Sequence, residues 1–444
     1  MKLNRLLLVS LMMSTLAYGA DRVLYELRVL EEDLCFACGV YAVGDIDDDG
    51  LNDIVAGGSS PDLWWARYPD VETKIPIAEN AGLGNEIHLA DVDNDGDIDV
   101  MSSSGGLTWW ENPLLPDGNL STSPWAEHES PGRNGASHDF RVGDIDGDGK
   151  VDAVERNKER PWTFYIQETP TTFHTFTLDA ATKKEGTTLA DIDDDGDLDI
   201  TDGVAWFECP EDPAVDTWEQ HDLGPNHNMT RVAVGDLTGD NIPDIVVAPA
   251  EFGGNRTLWY EAPEDPRTGT WTEHMLYERS DPNFHTLQIG DMDGDGTNDI
   301  VLGTTAYHDA PWGRRITILY NVNGDGSGLE EQSWESPKGA WQGVVADVGS
   351  DGDLDILTAN YEGGQFEFWE SMLDPTSVAA GPESFRRNVR AAPARSVMAG
   401  RWYTIHGRVV TSRSTQSLPD RSAGPARVLF LSGNTAGLVV SASR

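Results

Sequence analysis

One nine-residue pattern occurs seven times along the chain, and it constrains the fold more than any other feature. Gly or Ala is followed by D-x-D-x-D-G-x-x-D and then by a short apolar, β-branched run. The copies begin at Asp45, Asp91, Asp144, Asp191, Asp236, Asp291 and Asp347, spaced 45 to 56 residues apart. Self-similarity at such a period marks stacked supersecondary units, none of which can bury its apolar face alone. An alternating stretch precedes each copy, as in Tyr41-Ala42-Val43, and a run such as Asp299-Ile300-Val301-Leu302 follows it, so the loop joins two strands. A third strand carries adjacent aromatics, as in Trp64-Trp65, Trp109-Trp110-Glu111, Trp206-Phe207-Glu208, Trp259-Tyr260-Glu261 and Phe368-Trp369-Glu370. A fourth reads W-x-x-H at Trp125 to His128, Trp218 to His221 and Trp271 to His274. Four short strands per unit, with Gly-rich turns and no helical period, predict an all-β, seven-bladed β-propeller over residues 21–374. The recurring Trp and His residues are read as packing between blades, with carbohydrate stacking as the alternative.

The seventh copy has room for three strands only, near 342–346, 355–359 and 365–370. Residues 23–30 alternate as a strand but have no partner inside the first unit. They are expected to supply the seventh blade's outer strand and to close the ring, which removes exposed sheet edges.

The loops have the chemistry of a calcium cage. Calcium takes six to eight oxygens in tolerant geometry. Carboxylates at positions 1, 3 and 5 of a tight loop converge on one point, Gly at position 6 allows a sharp turn, and the Asp at position 9 completes the set. Five loops carry all four carboxylates: Asp45, Asp47, Asp49 and Asp53; Asp91, Asp93, Asp95 and Asp99; Asp144, Asp146, Asp148 and Asp152; Asp191, Asp193, Asp195 and Asp199; Asp291, Asp293, Asp295 and Asp299. The fifth loop keeps Asp236, Asp240 and Asp244 but has Thr238 at position 3 and Asn241 at position 6. The seventh keeps Asp347, Asp351 and Asp355 but has Gly349 at position 3. These two are expected to bind calcium weakly or to stand empty. An EF-hand is excluded, because it needs flanking helices and a Glu at position 12. The alternative reading of each loop is an Asx-rich turn without metal.

Charge narrows the partners. Residues 21–375 carry a net charge of −55 and residues 376–444 one of +8. So acidic a body repels nucleic acid and anionic membranes and attracts multivalent cations. A salt-loving host is a second source of such acidity.

With these residues in view, the chain resembles the FG-GAP/VCBS repeat family, which supplies the blades of integrin α-subunit propellers and of many secreted bacterial proteins. The resemblance covers roughly residues 23–375. It implies calcium sites that act as structural staples on one face of the ring, and it leaves function open. The strands Trp110-Glu111-Asn112-Pro113 and Tyr260-Glu261-Ala262-Pro263 resemble the propeller of aldos-2-ulose dehydratase, and rhamnogalacturonan lyases are more distant relatives. No catalytic motif of either can be matched to residues here.

A function is expected at the channel mouth opposite the aspartate loops, where the residues two to six before each loop do not repeat. They include Glu86 and His88, then His138, Asp139 and Arg141, then Glu185, Arg231, His285 and Gln288, and lastly Trp341 and Gln342, with His227 and Asn228 just beyond. Polar residues gathered at a concave mouth make a site for a glycan or a cell-surface protein. A His base beside an Arg that stabilises an oxyanion would instead suit a carbohydrate lyase or dehydratase. A water-filled channel without ligand is the remaining alternative.

The ends of the chain carry export signals. Lys2 and Arg5, the apolar run 6–16 and small residues through Ala20 read as a cleaved signal peptide over residues 1–20, with a retained N-terminal anchor as the alternative. The mature chain is expected to be secreted or held at the cell surface, without membrane insertion. Cys35 and Cys38 are expected to form a small disulfide, with Cys209 buried and reduced. Residues 375–396 read as an Ala/Pro/Arg-rich linker. Residues 397–444 resemble the C-terminal sorting domains of type IX secretion, on the strand and Gly-Arg turn of Arg401-Trp402-Tyr403-Thr404-Ile405-His406-Gly407-Arg408-Val409-Val410. The aspartate usual before that turn is absent, as is a Gly-Val-Tyr near the end. The alternative is a small β-rich appendage.

Overall fold

The computed structural model describes residues 23–31, 40–57, 62–115, 118–120, 124–158, 160–181, 185–224, 230–250, 256–278, 284–305, 313–359 and 365–373, with the short pairs 402–403 and 409–410. The signal peptide, Cys35, Cys38, His227, Asn228, the linker and most of the tail lie outside the described residues. The described tail residues pair Trp402–Tyr403 antiparallel with Val409–Val410. Among the described residues no helix is long and apolar enough to cross a membrane.

Seven antiparallel sheets form the ring, and their chain order is that of the repeats. Blade one is β2 (Val40–Gly44), β3 (Asp53–Gly57), β4 (Asp62–Ala66) and β5 (Ile75–Glu79). Blade two is β6 (Ile87–Ala90), β7 (Asp99–Glu111) and β8 (Ala126–Ala136), where β7 serves as both middle strands. Blade three is β9 (Asp139–Gly143), β10 (Asp152–Arg156), β11 (Trp162–Thr169) and β12 (Thr172–Leu178). Blade four is β13 (Thr188–Ala190), β14 (Asp199–Thr201), β15 (Ala205–Glu208) and β16 (Glu219–Asp222). Blade five is β17 (Thr230–Gly235), β18 (Asp244–Pro249), β19 (Arg256–Glu261) and β20 (Thr272–Glu278). Blade six is β21 (Phe284–Gly290), β22 (Asp299–Thr304), β23 (Arg315–Asn321) and β24 (Leu329–Glu335). Blade seven is β25 (Gln342–Ala346), β26 (Asp355–Ala359) and β27 (Phe366–Ser371), completed by β1 (Tyr25–Glu31) from the start of the chain. The first strands of successive blades touch one another in a closed cycle, so they are the inner strands.

There is no single core. Seven apolar clusters each join residues of two neighbouring blades. The adjacent aromatics of the third strands follow from this layout, because successive side chains of a strand point to opposite faces. Trp109 packs toward blade three and Trp110 toward blade one. Trp206 faces blade five and Phe207 faces blade three. The W-x-x-H residues divide their work, which corrects the reading of both as inter-blade packing. Trp125 and Trp218 do lie in inter-blade clusters. The histidines stay within their blades: His128, His221 and His274 stack on Trp109, Trp206 and Trp259 of the neighbouring strand at 4.1–4.2 Å between ring centroids. Each also shares a hydrogen bond with a third-strand glutamate, Glu111, Glu208 or Glu261, at 2.8–3.2 Å.

Ring closure takes the expected form. β1 pairs antiparallel with β27, with Leu27 opposite Trp369. Val23 is buried in the cluster between blades six and seven, with Tyr25 and Leu27 packed against it. Gln332 Nε2 donates to the Val23 carbonyl at 2.7 Å, and Met372 N–H donates to that of Leu24 at 2.8 Å. A closed repeat array loses both frayed ends at once when this strand is in place. Deleting residues 21–31 should therefore lower the melting temperature of the whole ring and open blade seven to protease. Leu27→Pro, which removes a ladder donor, should cost about 2 kcal/mol. Melting and limited proteolysis equal to the parent's would show that the strand does not close the ring.

Candidate metal and channel sites

All seven aspartate loops share one backbone shape. Position 6 is left-handed throughout, from Asn241 (φ 69°) to Gly96 (φ 107°). Position 4 is left-handed as well, at Asp48, Asn94, Gly147, Asp194, Gly239, Gly294 and Ser350, with φ from 55° to 76°. Sequence reasoning missed this second turn. Its signal was visible, since six of those seven residues are Asp, Asn or Gly, the types that tolerate this region. The first aspartate caps the turn: Asp91 accepts the N–H groups of Asp95 and Gly96 at 3.0 and 3.2 Å, and Asp347 accepts those of Asp351 and Gly352 at 2.9 and 3.1 Å.

Position 9 has a role beyond that of a ligand. Asp53, Asp99, Asp152, Asp199, Asp244, Asp299 and Asp355 are all buried. In each, Oδ2 accepts the N–H of loop position 2 at 2.8–3.2 Å. Oδ1 accepts the N–H of the residue that ends the third strand, at 2.7–2.9 Å: Tyr68, Asn112, Gln167, Cys209, Ala262, Asn321 and Ser371. Several of these last residues also reach across to the preceding blade. Asn112, Gln167 and Asn321 donate through their side-chain amides to the position-2 carbonyls of Ile46, Val92 and Leu237 at 2.7–3.0 Å. Cys209, a free and buried thiol, lies 3.5 Å from the carbonyl of Ile145.

The two loops that lack a position-3 aspartate are held from the next blade. Asn298 Nδ2 donates to the carbonyl of Asp236, and Asn52 Nδ2 to that of Asp347, both at 2.8 Å. A Cβ at Gly349 would lie 2.6 Å from the ring of Tyr68, so an aspartate there would have to displace that ring.

The donor sets suit a hard cation. Groups of three carboxylates with ligand atoms within 4.8 Å of one another occur in loops one to four: Asp45, Asp47 and Asp53; Asp91, Asp93 and Asp99; Asp144, Asp146 and Asp152; Asp191, Asp193 and Asp195. Oδ1 of Asp47, of Asp144 and of Asp193 is buried and accepts no hydrogen bond. Unpaired buried carboxylate oxygens in an all-oxygen cluster are what a divalent cation would satisfy. Burial above all, and then neighbouring aspartates, raise the carboxyl pKa values: Asp91 to about 6, Asp193 to about 7 and Asp299 to about 8.

At the opposite end of the inner strands, the sequence-singled residues form a buried ionic cluster. Arg141 pairs with Glu86, whose Oε2 also accepts the Phe140 N–H at 2.6 Å. His138 Nε2 lies 3.1 Å from Glu185 Oε1, and its Nδ1 lies 4.0 Å from Asp139 Oδ1. Arg231 Nη1 lies 3.7 Å from Asp139 and 3.6 Å from Glu185. Burial disfavours ionisation of Asp139, yet His138, followed by Arg231 and Arg141, holds its carboxyl below the usual range. Two histidines are buried. His88 is buried with Nε2 2.7 Å from the Phe140 carbonyl, and burial followed by the Arg141 charge lowers its pKa to about 3. His285 is buried and stacks on Trp341 at 3.7 Å, while Arg231 Nε donates to its carbonyl at 3.0 Å. Gln342, Glu86 and His88 line a cavity of about 40 Å³ between the inner strands of blades seven, one and two. That is room for water.

Two outcomes follow from the loops. Asp244→Ala should destabilise the protein by about 2–4 kcal/mol even in chelator, because it strands the buried N–H groups of Leu237 and Ala262; denaturant unfolding equal to the parent's would refute the anchor. For pH, a carboxyl with a higher pKa in the folded than in the unfolded state holds a proton that the unfolded chain has released. In chelator, stability should therefore fall as pH rises between about 4 and 8, and excess calcium should offset that fall. Melting curves across that range check the sign.

Residues 91–155, 236–302 and 291–358 match the FG-GAP-like repeat family. No curated protein sequence matches the chain. Among solved structures it is similar to BBS1N, crystallised in complex with ARL6DN, with 10% identity and a TM-score of 0.51 over 79% of this chain and 98% of that one. It is also similar to Sqt1 of Saccharomyces cerevisiae, with 10% identity and a TM-score of 0.45 over 79% of this chain and 100% of that one. At that identity the likeness to BBS1N is one of fold. This chain is a seven-bladed β-propeller that carries FG-GAP-like repeats in those three stretches.

Proposed function

We propose that the protein is an exported binding module, stapled by calcium on one face of the ring and binding carbohydrate at the other. The FG-GAP propeller fold is suited to a binding module in general. Calcium is favoured by the all-oxygen donor sets and by the unpaired oxygens of Asp47, Asp144 and Asp193. When bound, it would neutralise carboxylates that otherwise repel one another and would tie each loop to the strand that follows it. Export is favoured by the basic and apolar segment at residues 1–20.

One observation carries the ligand reading. Arg231 Nη1 and His138 Nδ1 are buried and make no hydrogen bond, while Asp139 and Glu185 stand 3.6–4.0 Å away. Such gaps are too wide for direct hydrogen bonds and fit a hydroxyl group that donates to a carboxylate and accepts from the guanidinium. A polyhydroxylated ligand matches donors and acceptors placed in this way. The same cluster gives the catalytic alternative its one support: His138, held by Glu185 beside Arg231, could abstract a proton next to a sugar carboxylate.

The purified full chain should retain a glycan on an array, and Arg231→Gln should weaken that binding about tenfold. Glycan bound equally by the variant, or no glycan bound by the parent, would refute the site. Unsaturated sugar product formed by the parent and lost in His138→Ala would favour the enzyme. For calcium, chelator should lower the melting temperature, since each site adds about 2.7 kcal/mol at a hundredfold excess over Kd. A melt indifferent to chelator would remove the staple.

A further inference from the structure

We propose that Arg67 and Arg267 grade the calcium sites, making loops one and four a weak class beside a tight loop two. The inference rests on the calcium reading above and concerns this chain's own residues around the ion.

Arg67 directly follows the third strand of blade one. Its Nε lies 2.7 Å from Asp47 Oδ2, and its Nη2 lies 2.8 Å from Asp49 Oδ2. It directly precedes Tyr68, the residue whose N–H binds the position-9 aspartate. In blades two, four, five and seven the equivalent place is held by Glu111, Glu208, Glu261 and Glu370. That place faces the loop in blade four, where one guanidinium, that of Arg267, contacts Glu208 together with Asp193 and Asp195. Blade one thus has a cation where four other blades have an anion.

Arg267 reaches the same kind of position from another part of the fold. It sits between β19 and β20 of blade five and crosses to blade four. Its Nη2 lies 2.7 Å from Asp193 Oδ2 and 2.6 Å from Asp195 Oδ2, and its Nε lies 3.1 Å from Glu208 Oε1. Both arginines therefore engage Oδ2 of the position-3 and position-5 aspartates. In each loop the position-3 Oδ1 is left without a hydrogen bond. Among the described residues no ion pair joins a loop-two aspartate to a Lys or Arg.

Calcium affinity in oxygen cages follows the charge and number of ligands. A guanidinium on two of the four carboxylates reduces the negative charge of the site by one and occupies an oxygen of each. Loop two keeps every carboxylate oxygen free of such a partner, and Glu111 adds a charge nearby. At loop four the grading also joins blades, since the arginine and the carboxylates belong to neighbours.

The test is a calcium titration of the full chain by calorimetry at fixed ionic strength. The parent should show tight and weak classes, and Asp93→Asn should remove one tight site. Arg67→Gln and Arg267→Gln should each move one site from the weak class to the tight one, with Kd lower by about tenfold. Arg67→Lys and Arg267→Lys, which keep the charge, should leave the weak class in place and serve where a Gln variant folds poorly. Calcium binding by the parent with isotherms unchanged or weakened in the Gln variants would overturn the grading and leave the calcium reading standing. No calcium bound by the parent would overturn both.

Discussion

A buried aspartate at the start of each blade's second strand is the contact on which the rest of the ring depends. Its two oxygens accept one N–H from the loop behind it and one from the end of the third strand. A single side chain thus fixes the loop, the second strand and the third strand relative to one another, seven times over. Burying a carboxylate is costly unless its oxygens are hydrogen-bonded, and here both are. The residue that supplies the second N–H often extends its own side chain to the preceding blade. The same anchor therefore sets the order within a blade and the spacing between blades.

This anchor explains why the fifth and seventh loops keep their shape although each has lost a carboxylate. Asp244 and Asp355 make the same two hydrogen bonds as their counterparts in complete loops. Asn298 and Asn52 then fasten these loops to the following blade. Shape and carboxylate count are separable in this repeat. The first is held by backbone hydrogen bonds to positions 1 and 9, and the second differs at position 3.

The two ends of the inner strands obey different rules. At the loop end, identical chemistry recurs around the ring, and the differences that matter are local charges such as Arg67 and Arg267. At the other end the singled-out residues do not recur: Arg141 pairs with Glu86, and His138 and Arg231 lie against Asp139 and Glu185. Breaking one partner there leaves a buried charge uncompensated. A network of this kind orients its members firmly, which is what a site with fixed donors and acceptors requires.

The sequence by itself determined the blade count, the strand order, the place of the loops and the strand that closes the ring. Each of these is a matter of period: a pattern repeated seven times, alternation within strands, and one strand too few at the end balanced by one too many at the start. It also determined which loops had lost a carboxylate. The tertiary structure alone decided what no period encodes. His128 and Trp125 share one motif, yet one packs within its blade and the other between blades, because side chains an odd number of residues apart on an extended chain point to opposite sides. His88 and His285 read as residues of a mouth and are buried among inner strands, since a short strand and its approach differ by only a residue or two. Arg267 meets Asp193 and Asp195 across 72 residues of chain or more. Such contacts arise only when the blades are set side by side, because the geometry of the ring brings together side chains that sequence distance keeps apart.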